Sequence, residues 1–453
     1  MSDVIAAIST GTQISAIGIL RLSGDGCAEV AGKVFLPQNG KPLSQATARK
    51  LVLGELKDAK GRAIDQCLAV YSPAPHSYTG EDTVELQCHG SPAVLSAGLE
   101  ALYLAGARPA RRGEFTKRAF LNGQMDLTQA EAVIDLIEAE SADAAANAAG
   151  QVGGALLRQL APIYDSLTDI CSHFHAVLDY PDEDIDDFAL SRYTDALQSA
   201  ADTLDALLAT FRRGQILKRG VLAAIAGRPN VGKSSLLNAL AGYERVIVTD
   251  VAGTTRDTVE EVIQLGHTRL RLLDTAGIRQ TEDPIEAIGV QRALSAAETA
   301  DLALFVCDGS QPLTAADEQA MIAAKKAPFA VALVNKSDLP RQLQPEALPF
   351  AHILFVSAKT GEGLEDLSRL LAAHFETGGS YDGSILTNVR QQDALRRARE
   401  GIACALEGLT LGYTPDAVLT DVEIAMEAMG EITGKTVRED ITNRIFERFC
   451  VGK

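Results

Sequence analysis

The sequence predicts an α/β plus all-α chain: an amino-terminal α/β domain, a helical bundle domain, and a doubly wound α/β domain inserted into the bundle. Three observations predict it. Apolar runs at 221–226, 269–273, 302–307, 329–334 and 353–356 alternate with helical stretches, the pattern of a parallel sheet covered on both faces. On both sides of that block, apolar residues recur every three or four positions, as on amphipathic helices. Ahead of everything, short β-like runs surround one apolar helix candidate.

In chain order, residues 1–118 carry β-like runs at 16–22 and 84–87 and a helix candidate at 93–104, an α/β domain. Residues 119–215 form the first part of the helical domain, where Leu156, Leu160, Ile163, Leu167, Ile170, Phe174 and Val177 make the stripe of a long bundle helix. The acidic run Asp182, Glu183, Asp184, Asp186 and Asp187 follows Pro181 and reads as a solvated loop. Residues 216–376 are the inserted domain. After Gly378 and Gly379 the second part of the helical domain, 377–453, continues through helices at 392–409 and 420–449.

Composition sets outer bounds on function. At 453 residues, and roughly 150 residues per domain, three domains are expected. Hydrophobic residues at 46% and charged residues at 23% are globular values and exclude disordered and collagen-like classes. The net charge of −18 repels polyanions, which excludes a non-specific DNA coater and confines any nucleic-acid contact to a local basic patch. Seven scattered cysteines without a CxxC pair fit a reducing compartment better than a disulfide framework or zinc ribbon. Asp3 stands where a leader would be basic, and no apolar run approaches the roughly 20 residues a bilayer requires, so a cytoplasmic chain with no membrane contact is expected.

Gly227-Arg228-Pro229-Asn230-Val231-Gly232-Lys233-Ser234 matches GxxxxGK[ST] directly after an apolar strand and before a helical run. Backbone N–H groups of such a loop point at phosphate oxygens. Lys233 adds charge at the β/γ phosphates, and the Ser234 hydroxyl is placed to ligate Mg²⁺. Asp274-Thr275-Ala276-Gly277 follows the strand at 269–273, where the carboxylate reaches Mg²⁺ through water and the glycine N–H reaches a γ-phosphate. Thr255, on the loop before that strand, offers Mg²⁺ a second hydroxyl. In Asn335-Lys336-Ser337-Asp338 the Asp338 carboxylate can accept from guanine N1–H and N2–H₂, a donor pair adenine lacks, and Ser357-Ala358-Lys359 completes the base pocket. GTP is therefore the expected nucleotide. The GTP-binding set is Asn230, Val231, Gly232, Lys233, Ser234 and Ser235, then Thr249, Asp250, Val251, Ala252, Gly253, Thr254 and Thr255, then Asp274, Thr275, Ala276 and Gly277, then Asn335, Lys336, Asp338, Ser357, Ala358 and Lys359. These elements in this order resemble the TRAFAC class of P-loop GTPases. Ile278 follows the Asp-Thr-Ala-Gly run, and an alkyl chain cannot orient water, so hydrolysis needs another group from Glu282, Asp283 and Glu286.

Further segments narrow the family. Ala16-Ile17-Gly18-Ile19-Leu20-Arg21-Leu22-Ser23-Gly24, Tyr78-Thr79-Gly80-Glu81-Asp82 with Glu85-Leu86-Gln87, Gly113-Glu114-Phe115-Thr116, Arg118-Ala119-Phe120-Leu121-Asn122-Gly123, Gly430-Glu431-Ile432-Thr433-Gly434-Lys435 and Phe449-Cys450-Val451-Gly452-Lys453 resemble the MnmE (TrmE) family of tRNA modification GTPases. The resemblance implies an amino-terminal folate-binding and dimerisation domain, a helical domain and an inserted GTPase domain. It implies a homodimer that joins the flavoprotein MnmG, which carries the FAD, in a heterotetramer. That complex adds an aminomethyl or carboxymethylaminomethyl group at C5 of the wobble uridine of certain tRNAs, drawing on 5,10-methylenetetrahydrofolate, for which 5-formyltetrahydrofolate is an analogue.

By the same resemblance Arg21, Glu85, Gln124 and Lys453 match folate-site positions, Gln124 standing where relatives usually carry lysine. Asn230, Thr249, Val251 and Thr254 match a K⁺ cage, Glu286 the water-orienting glutamate and Cys450 the functional terminal cysteine, while Arg256 and Arg279 look like switch residues. Cys450 is expected on the final turn of a helix carrying Ile441, Ile445 and Phe449, with the following residues reaching back toward Arg21 and Glu85. The nucleotide motifs alone also suit a ribosome-assembly GTPase acting as an rRNA-binding switch.

Overall fold

A computed structural model of the chain describes residues 2–179, 187–243, 261–266, 268–273, 297–375, 381–436 and 439–453. They divide into two units. One comprises Met1–Leu208, Tyr381–Ser384 and Val389–Lys453, the other Ala209–Ser380 and Ile385–Asn388.

The first unit opens with β1 (Ile5–Ile8), β2 (Ser15–Ser23), β3 (Phe35–Pro37), β4 (Val52–Lys57), β5 (Ala63–Ser72), β6 (Thr83–Gly90) and β7 (Arg108–Pro109). They form one sheet in the order β3-β4-β5-β6-β2-β1-β7, antiparallel except where β1 meets β7. Alternation along β2 turns Leu20 and Leu22 inward and leaves Arg21 on the other face. The helix Pro92–Ala105 covers the inner face through Leu95 and Leu102. It lies close because Gly18 and Gly98 have no side chains: a Cβ at Gly18 would meet the Leu95 methyl at 2.5 Å, and one at Gly98 would meet Leu20 at 2.7 Å.

Helices complete the unit. Leu127–Ile137 starts in a capping box in which Asp126 and Gln129 satisfy each other's backbone N–H groups. Ala155–Asp179 buries Leu156, Leu160, Ile163, Leu167, Ile170 and Phe174, while Val177 is only half-buried. Across the insertion stand Val389–Leu411 and Pro415–Thr433. The single helix expected at 420–449 is instead two, Pro415–Thr433 and Glu439–Phe446. Gly434 ends the first at φ +92°, donating its N–H to Gly430 O, and a side chain there would meet the Phe120 ring at 2.7 Å.

Glu131 joins the two halves of this helical layer. Its carboxylate is 6% exposed and accepts from Arg390 Nε and Nη2 and from Gln391 Nε2, each at 2.8 Å. Arg390 also donates to the carbonyls of Glu431 at 2.6 Å and Ile432 at 3.4 Å, satisfying the end of the Pro415–Thr433 helix.

The second unit holds β8 (Val221–Ala226), β9 (Glu261–Leu265), β10 (Thr268–Leu272), β11 (Leu302–Asp308), β12 (Phe329–Asn335) and β13 (His352–Phe355), ordered β13-β12-β11-β8-β10-β9. Five strands are parallel, as expected, and β9 is an antiparallel edge paired to β10 through a tight turn at Gly266, φ +62°. Every residue of β11 is buried, the continuous apolar run of a strand covered on both faces. No helix among the described residues is long and apolar enough to cross a membrane. Of the acidic run, residues 182–186 lie outside the described residues, and Asp187 opens the helix Asp187–Ala209 instead of closing a loop.

Removing one partner of a buried ion pair strands the other. Glu131→Ala should therefore lower the unfolding free energy by about 3 kcal/mol, and Glu131→Gln, which keeps an acceptor for Arg390, by less. Urea denaturation followed by circular dichroism measures both. A loss below about 1 kcal/mol for Glu131→Ala, the value of an exposed pair, would show that water replaces the carboxylate.

Candidate functional site

The phosphate loop hangs between β8 and the helix Lys233–Tyr243. Gly227 passes so close to Val306 O that a side chain would collide with it. Asn230 (φ +64°) and Gly232 (φ +96°) are left-handed, turning successive backbone groups toward the mouth of the loop. Lys233 reaches back across the loop, donating to Gly227 O at 2.5 Å and Arg228 O at 2.8 Å. Burial lowers its pKa from the ordinary lysine value, and the Asp317 carboxylate opposes that shift. Ser234 and Ser235 are exposed on the helix's first turn.

Asn335 fastens the segment expected to hold the base, through Ala358, to this loop. It is 2% exposed; its Nδ2 donates to Val231 O at 2.8 Å and its Oδ1 accepts from Ala358 N at 3.1 Å. A Cβ on Gly232 would strike that amide, so glycine is required twice, by φ and by space. Asp338 is exposed, and its Oδ1 accepts from the Ser357 hydroxyl at 2.7 Å, which orients the carboxylate. Lys359 is exposed. Lys336, left-handed at φ +65°, donates to Asp308 Oδ2 at 2.6 Å. Burial alone would raise the Asp308 carboxyl, but hydrogen bonds from Lys336 and Ser310 hold it below the usual range. Asp308 was not among the residues expected from sequence, although it closes a fully apolar strand. Residues Thr249 through Thr255, Arg256, Asp274 through Gly277, Ile278, Arg279, Glu282, Asp283 and Glu286 lie outside the described residues.

A second constellation sits in the first unit. Arg21 and Glu85 are directly opposite in the register of β2 and β6 and pair at 2.8 Å. The guanidinium lies 5.6 Å from the Tyr78 ring centre and 5.8 Å from that of Phe115. The 449–453 segment docks here through its backbone. Gly452 O accepts from Ser9 Oγ at 2.8 Å and Arg21 Nη1 at 3.5 Å, Lys453 O accepts from Phe115 N at 3.2 Å, and Cys450 O accepts from Gly113 N at 3.3 Å. Val451 forms an antiparallel bridge with Arg112. Gly452 (φ +99°) has no space for a side chain against Ile8 O. Burial lowers the Lys453 pKa, Arg21 adds to the shift, and Glu85 opposes it.

Gln124 is exposed, with its amide beside Gly80 and its N–H on Ala119 O at 2.9 Å. Cys450 is also exposed, but it does not stand on a final helical turn: the helix stops at Phe446 and a turn over residues 447–449 leads to Cys450, with Phe446 and Phe449 buried in a cluster with Leu127 and Ala130. The structure brings Arg21, Glu85 and Lys453 together. Ser9 and Gly452, which complete the docking, gave no signal in sequence beyond a glycine one residue before Lys453.

Comparison with known proteins agrees in extent. The family described as the MnmE helical domain matches residues 127–450, and that described as the GTP-binding protein TrmE N-terminus matches residues 4–124. The chain is 42% identical over 466 residues to the tRNA modification GTPase MnmE of Heliobacterium modesticaldum, covering 100% of both chains. It is 44% identical over 455 residues to the protein of that name from Thermus thermophilus, again covering 100% of both. Among solved structures, the G domain of the T. maritima FeoB iron transporter is 25% identical over 35% of this chain and 99% of its own, with a TM-score of 0.26, which adds nothing to the fold read from strand order. Two family matches that together span nearly the whole chain, and full-length relatives above two-fifths identity, establish that this chain belongs to the MnmE family of tRNA modification GTPases.

Proposed function

We propose that this chain is a potassium-activated GTPase that works as a homodimer with a flavoprotein partner, MnmG, to add an aminomethyl or carboxymethylaminomethyl group at C5 of the wobble uridine of certain tRNAs. The observation that carries the reading is the docking of the 449–453 backbone beside the Arg21–Glu85 pair, in a chain that also holds a phosphate loop and a guanine-type base pocket. Full-length likeness to tRNA modification GTPases supports it.

In the nucleotide unit, Asp338, held by Ser357, would accept from guanine, and Lys233 would exchange its loop carbonyls for the β/γ phosphates. Ser234 and Thr255 would hold Mg²⁺. Asn230, Thr249, Val251 and Thr254 would hold K⁺, which supplies positive charge beside the phosphates where charge develops. Glu286 would orient the attacking water in place of Ile278. In the first unit, Arg21, Glu85 and Lys453 offer paired charge to the polar edges of 5,10-methylenetetrahydrofolate, whose one-carbon unit is the group transferred. The Tyr78 and Phe115 rings beside Arg21 provide apolar walls. Gln124 offers an amide where a cation would stand in relatives, so this end of the site binds without charge.

Turnover in matched KCl and NaCl tests the potassium reading: hydrolysis should be fast in the first salt and slow in the second, with Asn230→Ala erasing the difference while nucleotide still binds. Equal rates for the wild type in both salts would remove K⁺ from the mechanism. Glu286→Ala should bind GTP normally and lose on the order of 10²-fold in kcat; an unchanged kcat would pass the role to Glu282 or another group. Cys450→Ser should hydrolyse GTP at the wild-type rate yet fail to restore wobble-uridine modification in cells lacking this protein, as read by mass spectrometry of tRNA nucleosides. Full restoration would make the thiol dispensable.

A further inference from the structure

Around the exposed Cys450 the paired backbone carries arginines without a carboxylate partner among the described side chains. Residues 111–117 and 443–451 run side by side: Gly113 N donates to Cys450 O, Arg112 bridges Val451, and Lys117 Nζ donates to Asn443 Oδ1 at 2.6 Å. Arg112 is thereby opposite Val451, Arg111 is its neighbour in the chain, and Arg448 stands two residues before Cys450; all three are exposed. None of the three has a carboxylate partner among the described side chains, which do not include those of Glu439 and Asp440. Other exposed arginines of the chain do hold carboxylates, such as Arg62 with Asp58, Arg369 with Asp366, and Arg396 with Asp393 and Glu400.

Glu114 is held by Arg108 and Arg118, and Glu447 is an exposed acid next to Arg448 in the chain, one acid against three arginines. In a chain of net charge −18, an uncompensated cationic strip works against whole-molecule repulsion of polyanions. Such a strip suits phosphates of a flexible single-stranded nucleic acid, which positions the partner without reading its bases.

We propose that Arg111, Arg112 and Arg448 form the surface on which the anticodon-loop phosphates of the substrate tRNA rest, holding the wobble base at the Cys450 end of the first unit. The inference deepens the tRNA-modification reading and rests on it. Phosphate contact by guanidinium is charge-assisted and tolerant of base identity, so the strip sets affinity and register rather than choice of tRNA.

Titrating full-length protein into a fluorescent, unmodified anticodon stem-loop with uridine at the wobble position, across a range of KCl, tests the strip. The triple variant R111Q/R112Q/R448Q should raise Kd at least about tenfold and flatten the slope of log K against log salt by about 2, roughly 0.7 for each lost single-strand contact. R111K/R112K/R448K should stay within a fewfold of wild type, and RNA-free GTP hydrolysis should be unchanged in both. Equal Kd and slope for wild type and the glutamine variant would overturn the proposal while leaving the enzyme's function standing. Intact RNA binding with loss of modification in the reconstituted system would overturn it too, assigning the strip to a protein partner. Failure of wild type to bind any such RNA would overturn both this surface and the tRNA reading.

Discussion

A helical layer built from segments on both sides of a long insertion has to be closed by contacts between residues far apart in the chain, and the buried one among the ion pairs that do this is the carboxylate of Glu131. Its bonds to Arg390 and Gln391 span 259 and 260 residues. Loop-closure entropy rises slowly, by about 0.6 kcal/mol for each doubling of length, so inserting a folded unit adds little beyond what a short connection would require. What the insertion does demand is specificity, because apolar helices could pack in several registers. A buried bidentate ion pair whose arginine also satisfies the Glu431 and Ile432 carbonyls is made in one register only. The closed layer in turn fixes where the Pro415–Thr433 helix ends, where Gly434 turns, and where Phe446 and Phe449 insert.

The same economy of position appears in both candidate sites, through close backbone approach. Gly232 admits the Asn335 amide, which ties phosphate loop to base pocket; Gly452 admits Ile8 and Ser9, which tie the 449–453 segment to β1. Each glycine is both left-handed and without room for a side chain. In each case a backbone carbonyl rather than a flexible side chain is the anchored group, so the neighbouring lysines, Lys233 in one and Lys453 in the other, start from a fixed point. Both lysines are partly desolvated, which lowers the cost of moving the ammonium onto an anionic ligand.

Much of this was legible in the sequence because it rests on periodicity. The apolar runs at 221–226 and 302–307 became β8 and β11 with little or no change of bounds, and the stripe from Leu156 to Phe174 became one buried helix face. Local signals failed where a single residue or a tertiary contact decides. The helix expected at 420–449 continues its apolar period straight through Gly434, and only the Phe120 ring packed above that glycine shows why the chain must turn. β9 is polar at its start and lies at a sheet edge, so no apolar run announces it. Asp308 carries no motif; its role as the partner of Lys336 follows from two parallel strands ending in register, Asp308 opposite Asn335.

Cysteine chemistry shows how tertiary placement sorts residues that sequence leaves equivalent. Cys27, Cys67, Cys88, Cys171 and Cys307 are buried, and burial pushes the Cys171 thiol up to about 11 and the Cys307 thiol up to about 12. At neutral pH the Cys171 and Cys307 thiols are neutral apolar packing atoms with almost no thiolate. Cys404 and Cys450 are exposed. Cys404 sits on the surface of a long helix, where only side-chain packing could position a reactant. Cys450 differs because its own carbonyl is hydrogen-bonded to Gly113, its neighbour Val451 is bridged to Arg112, and the next residue is bonded to Ser9 and Arg21. Chemistry at a substrate atom requires the reacting group to be both reachable and held within a fraction of an ångström. Of the seven thiols, Cys450 is the one for which the fold supplies both conditions, since its exposure comes from leaving the helix at Phe446 and its precision from the backbone contacts that follow.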